Sequence, residues 1–439
     1  MSEFENRPSL GSPQDQVVVV GAGIGGLSSA IELAKLGENV TILEKRAQNR
    51  LVQVGQERSE ITLATAITAY NADSSVTSAI KHVRFVHLDN PSISVSHDIP
   101  NGGLANPTAM FAIDHKLFLK SLLNTASMYP NITFRGGVEV VNFNEFGANG
   151  DVGVSLRENG VKSRENLRVK AVVSATGPGW QSLKFANKVR QEVYDNSIVA
   201  FAYGKRCKGR ILDEKSDAYL LQGFSEKGSG KNSWVTSAGD GTIEIVFSDY
   251  VYRNEVGKVP RELGYQSFVE KLVKGGYIEI EEEGPVISGY FGLETAQGVK
   301  TGWNHIYPYG EKGQYNAPTV GDAIAPTVRN APKLAMAIHD GLTTNQYEKS
   351  IKGTFPYIRE DAYTRARMKS SNLGKELGMV EMLRDQSLEK QASFTQNHDM
   401  SYLFYLKALV LHPELAYIFG GTLKEMALTF VEKTKRLFK

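Results

Sequence analysis

Residues 15–46 read DQVVVVGAGIGGLSSAIELAKLGENVTILEKR, and no other stretch of the chain restricts the fold as tightly. Residues 17–20 are a wholly apolar run of the kind that fills a buried parallel strand. Apolar residues then recur at helical spacing over 27–36, and Gly37 can end that helix. Residues 40–43 form a second buried strand, so the three pieces predict a β-α-β unit. Between strand and helix lie Gly21, Ala22, Gly23, Ile24, Gly25 and Gly26. Gly21 permits the tight turn, Gly23 clears room for a pyrophosphate, and Gly26 lets helix and strand pack closely. The helix start offers N–H groups and a partial positive charge to phosphates. Glu44 closes the second strand, where a carboxylate can accept both hydroxyls of an adenosine ribose and disfavours a 2′-phosphate. Motif, strand, helix and acid together predict a dinucleotide site. The plainer alternative is a tight turn in an α/β domain with an unrelated Glu.

The remaining chain is too long for one core: at 439 residues, two domains or one domain with a large insertion are expected. Residues 1–14 read as a flexible polar tail. Residues 15–80, 105–185 and 301–345 are assigned to a discontinuous nucleotide-binding domain. Residues 81–104 and 186–300 alternate polar and apolar positions and are assigned to a β-rich substrate domain. Residues 346–439 are assigned to a C-terminal helical region. Within this plan, VRFVHLDN and SISVSHDI form a strand pair, residues 114–128 a helix, and LRVKAVVSATG a single strand closed by a Gly-rich turn.

Composition narrows the partners. Lys plus Arg is 50 against 48 for Asp plus Glu, so nothing in the overall charge argues for nucleic acid. The one cysteine, Cys207, excludes a disulfide framework and a Cys-rich metal site, and with no secretory signal it fits the cytoplasm. YGKRCKGR places Cys207 among bases in a surface stretch. The eight His are scattered, with no metal-spaced pair on one element, so no metal site is expected. No apolar run is long enough for a spanning helix. The basic ending FVEKTKRLFK reads either as a solvated helix end or as a peripheral contact with an anionic membrane.

GAGIGGLSSAIELAKLGENVTILEKR, SATGPGWQSLK and TVGDAIAP occur in the order and spacing of three signatures of flavoproteins with the p-hydroxybenzoate hydroxylase fold, which this chain resembles over roughly residues 15–345. GQERSEITLATAI and LLNTASMYPNITFRGG are similar to stretches of kynurenine 3-monooxygenase and its bacterial relatives. The resemblance implies an α/β fold with a Rossmann-like, glutathione-reductase-type FAD-binding domain, an inserted β-sheet substrate domain and a C-terminal helical region. It implies FAD as cofactor and NADPH or NADH as electron donor. On the adenosine side, contacts are carried over to residues Gly21 to Gly26, to Glu44, Lys45 and Arg46, and to Val138 and Val140. Nearer the flavin they are carried over to Lys116, to Ala175, Thr176 and Gly177, and to Gly321, Asp322 and Pro326. Asn330 and Ala331 then open a helix that faces the flavin, with Asn330 as cap and Pro332 in the first turn.

Three residues depart from the family pattern. Thr176 replaces an Asp, Lys116 stands where an Arg usually contacts the cofactor, and Arg329 brings a cation where Gly is expected. Tyr307, Tyr309 and Trp234 are candidates for a substrate pocket, with aromatic packing as the alternative. The leading expectation is a monooxygenase that hydroxylates or epoxidises a small aromatic or polycyclic substrate through a flavin hydroperoxide. The alternatives are a reductase or desaturase of an isoprenoid or lipid, resembling geranylgeranyl reductases, and a catalytically degenerate flavoprotein with a binding or scaffold role.

Overall fold

The structure is a computed structural model that describes residues 15–47, 59–88, 94–98, 102–107, 109–146, 151–158, 161–177, 198–212, 219–224, 233–238, 240–252, 255, 258, 260–292, 304–310 and 324–351. The expected tail at 1–14, Ser182, Gly321, Asp322 and all but the first few residues of the expected helical region 346–439 lie outside them. The chain opens with β1 (Gln16–Val20), α1 (Ile24–Lys35), β2 (Asn39–Glu44), β3 (Ser59–Leu63), the short α2 (Ala64–Thr68) and β4 (Val76–Ile80). A strand pair follows, β5 (His82–His87) and β6 (Ser94–Asp98). Next come β7 (Met110–Asp114), α3 (His115–Ser127), β8 (Ile132–Gly136), β9 (Val138–Phe146), β10 (Asp151–Glu158), β11 (Val161–Val169) and β12 (Ala171–Ser174). The β-rich stretch holds β13 (Ile198–Ile211), β14 (Tyr219–Phe224), β15 (Ser233–Ser237), β16 (Thr242–Tyr252), α4 (Arg261–Lys274), β17 (Ile278–Glu282) and β18 (Val286–Gly292). β19 (Ile306–Pro308), α5 (Ile324–His339) and α6 (Thr344–Ile351) complete the described chain.

The Val run of β1 is apolar throughout because both its faces are covered. β1 lies in the middle of a five-stranded parallel sheet in the order β19-β12-β1-β2-β8. Val17 and Val19 point to one side, into a core shared with Leu27 and Ile31 of α1 and Leu334 and Ile338 of α5. Val18 and Val20 point to the other, against Phe143, Val152 and Val154 of a three-stranded antiparallel sheet, β11-β10-β9. The result is a three-layered, Rossmann-like half. Asp114 caps α3, its carboxylate accepting from the Leu117 N–H at 2.9 Å.

One expected strand changes partner partway. LRVKAVVSATG is not one strand: β11 pairs antiparallel with β10, and β12 pairs parallel with β1. Lys170 makes the step, its N–H donating to the Gln16 carbonyl at 3.0 Å and its ammonium pairing with Glu38 at 2.9 Å. Between β8 and β9 the turn is Gly137, at φ +78°.

The other large sheet runs β17-β13-β16-β15-β14-β5-β6, with β18 also on β13. β5 enters it by parallel pairing with β14. One face packs on α4, where Val235, Ile243 and Ile245 meet Phe268 and Leu272. The opposite face carries Val83 and Trp234 to the core of the nucleotide-binding half, and Ser78 Oγ donates to the Ser237 carbonyl at 3.1 Å across the same boundary. Cys207 corrects an expectation here. It is fully buried on the α4 side, 3.9 Å from the Tyr265 hydroxyl, and not on the surface. Its basic neighbours Arg206 and Lys208 project to the opposite face of the strand, as period-two alternation requires.

Candidate functional site

All five strands of the parallel sheet point the same way, so the segments that follow them emerge at one edge. That edge gathers Gly21–Gly26 after β1, Lys45 and Arg46 after β2, Gly137 and Val138 after β8, Ala175–Gly177 after β12, and Tyr309 and Gly310 after β19.

The Gly-rich turn is built for close approach. Gly21 sits at φ +100°, and a Cβ there would lie 2.4 Å from the Ala175 carbonyl oxygen. A Cβ on Gly26 would lie 1.8 Å from the Gly21 carbonyl oxygen, so only glycine lets α1 start where it does. Gly23 differs: nothing stands within 4 Å of where its Cβ would be, so the turn opens to a cradle at that point. Gly23 is also the N-cap of α1, with no side chain capping it and no acid in the first turn. The helix start therefore presents N–H groups and positive potential to whatever fills the cradle, which suits a pyrophosphate.

Glu44 is nearly closed off from water, and three donors fix it. Its Oε2 accepts the Ala22 N–H at 2.8 Å, and its Oε1 accepts the Arg46 N–H at 2.9 Å and Nε at 3.0 Å. The carboxylate keeps lone-pair capacity for a ribose hydroxyl. Lys45 turns instead to Glu139, 2.8 Å away, and this hydrogen bond and charge lower the Glu139 carboxyl below its usual range. Val138 packs into the core beneath β2, and Val140 is half-buried beside it. Ala175 is anchored by its N–H to the Val20 carbonyl at 2.9 Å, Thr176 is exposed, and Gly177 is at φ +77°. The donor set at this edge fits the pyrophosphate and ribose of an adenine dinucleotide.

The remaining sequence candidates fall elsewhere. Lys116 is half-buried on the first turn of α3, beside His115, whose Nδ1 lies 3.1 Å from Glu60. Pro326 lies in the first described turn of α5. Asn330 and Ala331 do not open that helix. α5 is already helical at Ile324, Asn330 and Pro332 lie in its interior, and both Asn330 and Ala331 are fully buried. Asn330 Nδ2 donates to the Pro326 carbonyl at 2.7 Å, one turn back, so its amide serves the helix and does not cap it. Arg329 is exposed. Tyr307 and Tyr309 are fully buried, and their hydroxyls donate to the carbonyls of Leu342 and Thr327. Burial raises both hydroxyls well above the ordinary tyrosine range, with nearby charge adding to it. Trp234 is partly buried against the nucleotide-binding core.

Sequence reasoning missed Gly310 and Thr327. The Gly25 Cβ position is 3.3 Å from the Gly310 Cα and 3.5 Å from Thr327 Cγ2, so the starts of α1 and α5 and the end of β19 meet at one point. Gly310, at φ +66°, was visible as a glycine just after a strand; Thr327 carried no signal. Among the described residues no group of His, Cys, Asp and Glu is placed to hold a metal ion, and no helix is long and apolar enough to cross a membrane.

Residues 15–204 match the family model of pyridine nucleotide-disulphide oxidoreductases. No curated protein matches the sequence. Among solved structures, the chain is similar to a geranylgeranyl bacteriochlorophyll reductase-like protein from Thermoplasma acidophilum, with TM-score 0.68 and 17% identity over 93% of this chain and 100% of that one. It is also similar to a flavin-dependent brominase, with TM-score 0.60 and 14% identity over 91% of this chain and 98% of that one. A third likeness is to a flavin-dependent monooxygenase solved with FAD and substrate, with TM-score 0.56 and 12% identity over 92% of this chain and 72% of that one. At these identities the likeness establishes the fold: a Rossmann-like domain joined to a large second sheet, as in flavin-dependent enzymes.

Proposed function

We propose that this chain is an FAD-dependent oxidoreductase, and within that class a monooxygenase acting on a small organic substrate with NADH or NADPH as electron donor. The observation that carries the reading is the convergence of Gly21–Gly26, Glu44 and Ala175–Gly177 on one edge of the parallel sheet. The α1 N–H groups would bind the pyrophosphate, and Glu44, fixed by Ala22 and Arg46, would take the ribose. Bound FAD would supply two-electron chemistry and, once reduced, reactivity toward oxygen. The large sheet, whose one face turns to the nucleotide-binding half, would cover the reacting end and exclude water. The likeness to a monooxygenase that binds FAD and substrate supports the narrower class.

A second reading has an observation of its own. The reductase-like protein from Thermoplasma acidophilum aligns over its whole length, which favours reduction of an isoprenoid. One experiment separates the two. The purified protein is loaded with FAD, its absorption spectrum recorded, and NADH and NADPH oxidation and oxygen uptake followed with aromatic and isoprenoid panels. Oxygen uptake coupled to an aromatic substrate supports the monooxygenase. Anaerobic reduction of an isoprenoid without oxygen uptake supports the reductase, and a protein that takes up no flavin overturns both.

A further inference from the structure

The helix α4 has one side that the large sheet explains and one that it does not. Tyr265, Phe268 and Leu272 are buried against the sheet, three or four residues apart. A Cβ on Gly264 would lie 2.4 Å from the Phe247 ring, so the first turn is held close to the strands. On the side turned to solvent, Leu263 is 66% exposed and Val273 49%.

A single exposed Leu or Val needs no explanation, but the spacing of these two does. With Gln266 and Glu270, both exposed, they form a stripe that steps by three, four and three residues. This is the a-d-a-d spacing of a helix that pairs with another helix. Val is also a weaker helix former than the Lys or Glu that suits a solvated position, so packing within one copy and local propensity both leave Val273 unexplained.

We propose that the outer face of α4 docks on a second copy of this chain, antiparallel, across a two-fold axis at the level of Phe268. A two-fold interface must be complementary to itself, and the stripe is. With the second helix reversed, Leu263 meets Val273 of the second copy at one end, and Val273 meets Leu263 of the second copy at the other, about 15 Å away. Between these apolar layers Gln266 meets Glu270 of the second copy, and the amide N–H donates to the carboxylate. Parallel pairing would instead set Glu270 against Glu270, so charge selects the antiparallel arrangement. α4 lies on the face of the large sheet turned away from the nucleotide-binding half, so the pairing leaves the Gly-rich turn uncovered. The seam is short and belongs at the small end of interfaces, so association is weak, with a dissociation constant of about 10–100 μM.

The test is sedimentation velocity of the full chain from about 2 to 300 μM, a range that brackets a weak dimer. It compares the wild type, Leu263→Glu, Val273→Lys and the double variant, with the melting temperature of each taken at the lowest concentration. The wild type is expected to pass from monomer to dimer. Each single variant is expected to weaken the dimer at least tenfold with an unchanged melting temperature, because the replaced side chain faces solvent in one copy. The double variant is expected to regain most of the association, because the antiparallel register brings its opposite charges together. A wild type that stays monomeric throughout, or a dimer indifferent to both single variants, overturns the proposal. So does a double variant no better than the single ones, which would refute the antiparallel register. A fall in melting temperature in both single variants without a change in mass would mean that another segment of the same chain covers the stripe, and overturns it as well.

Discussion

Glu44 shows how much one side chain can hold. Its two oxygens satisfy the Ala22 and Arg46 backbone N–H groups and the Arg46 guanidinium. Glu44→Ala strands these donors and is expected to cost about 1–3 kcal/mol in urea unfolding of the free protein. Weaker FAD uptake should accompany it, and Glu44→Gln should restore stability more fully than uptake. Tyr309 is expected to leave a mark at alkaline pH. Burial first, and nearby charge second, hold its hydroxyl far above the ordinary value. The unfolded chain releases that proton near pH 10 while the fold retains it, so above that pH the folded state binds more protons and stability falls as pH rises. The contribution is intact below about pH 10 and declines above it by about 1.4 kcal/mol per pH unit until the folded value is reached. Tyr309→Phe is expected to lose about 1 kcal/mol at pH 7, with the bond to Thr327, and to show a shallower alkaline decline in urea midpoints between pH 10 and 11. Legibility at this scale was uneven. Gly21, Gly26 and Glu44 stood out because their roles are local to one β-α-β unit. Cys207 was misplaced because basic neighbours in the chain belong to the other side of its strand, and Asn330 because Asn before Ala-Pro reads as a cap even inside a helix.

Among the elements, β13 is the organiser of the large sheet. β16 runs along one of its edges, while β18 pairs with residues 199–205 and β17 with residues 208–211 along the other. The β17 pairing itself carries a bulge between Lys208 and Gly209, where a Cβ on Gly209 would stand 2.2 Å from the Glu279 carbonyl oxygen. Gly209→Ala is therefore expected to push β17 off the edge and cost about 2–3 kcal/mol, read as a lower urea midpoint and faster amide exchange over residues 278–282. Strand and helix identities were largely legible, because periods of 2 and 3.6 are written in local apolar spacing. Partners were not. LRVKAVVSATG keeps one alternation through Lys170 while the backbone passes from an antiparallel to a parallel neighbour, and nothing in the side chains marks that step. The sheet of β3, β7 and β4 went unread for the same reason: its three strands are short and far apart in the chain.

On the scale of the molecule, the adenosine end of the candidate site was legible and the reacting end was not. The first lies in one motif; the second, as proposed, would draw on Gly25, Gly310 and Thr327, which come together from three distant stretches, and on which face of the large sheet turns inward. A ligand that spans both ends should act on the stability of the whole. FAD at a hundred times its dissociation constant is expected to add about 2.7 kcal/mol, seen as a melting temperature that climbs with the logarithm of FAD concentration, and NAD should do less at equal concentration. The chain also passes back and forth between its two halves: β1 to β4 serve one, β5 and β6 the other, β7 to β12 the first again, β13 to β18 the second, and β19 to α6 the first. Synthesis follows that order in time. Strands β5 and β6 leave the ribosome roughly 130 residues before β14, the strand on which β5 docks, a delay on the order of ten seconds at ordinary elongation rates. Throughout that interval the β5–β6 pair lacks its β14 neighbour, and the edge that β14 later covers stays open to pairing with another chain.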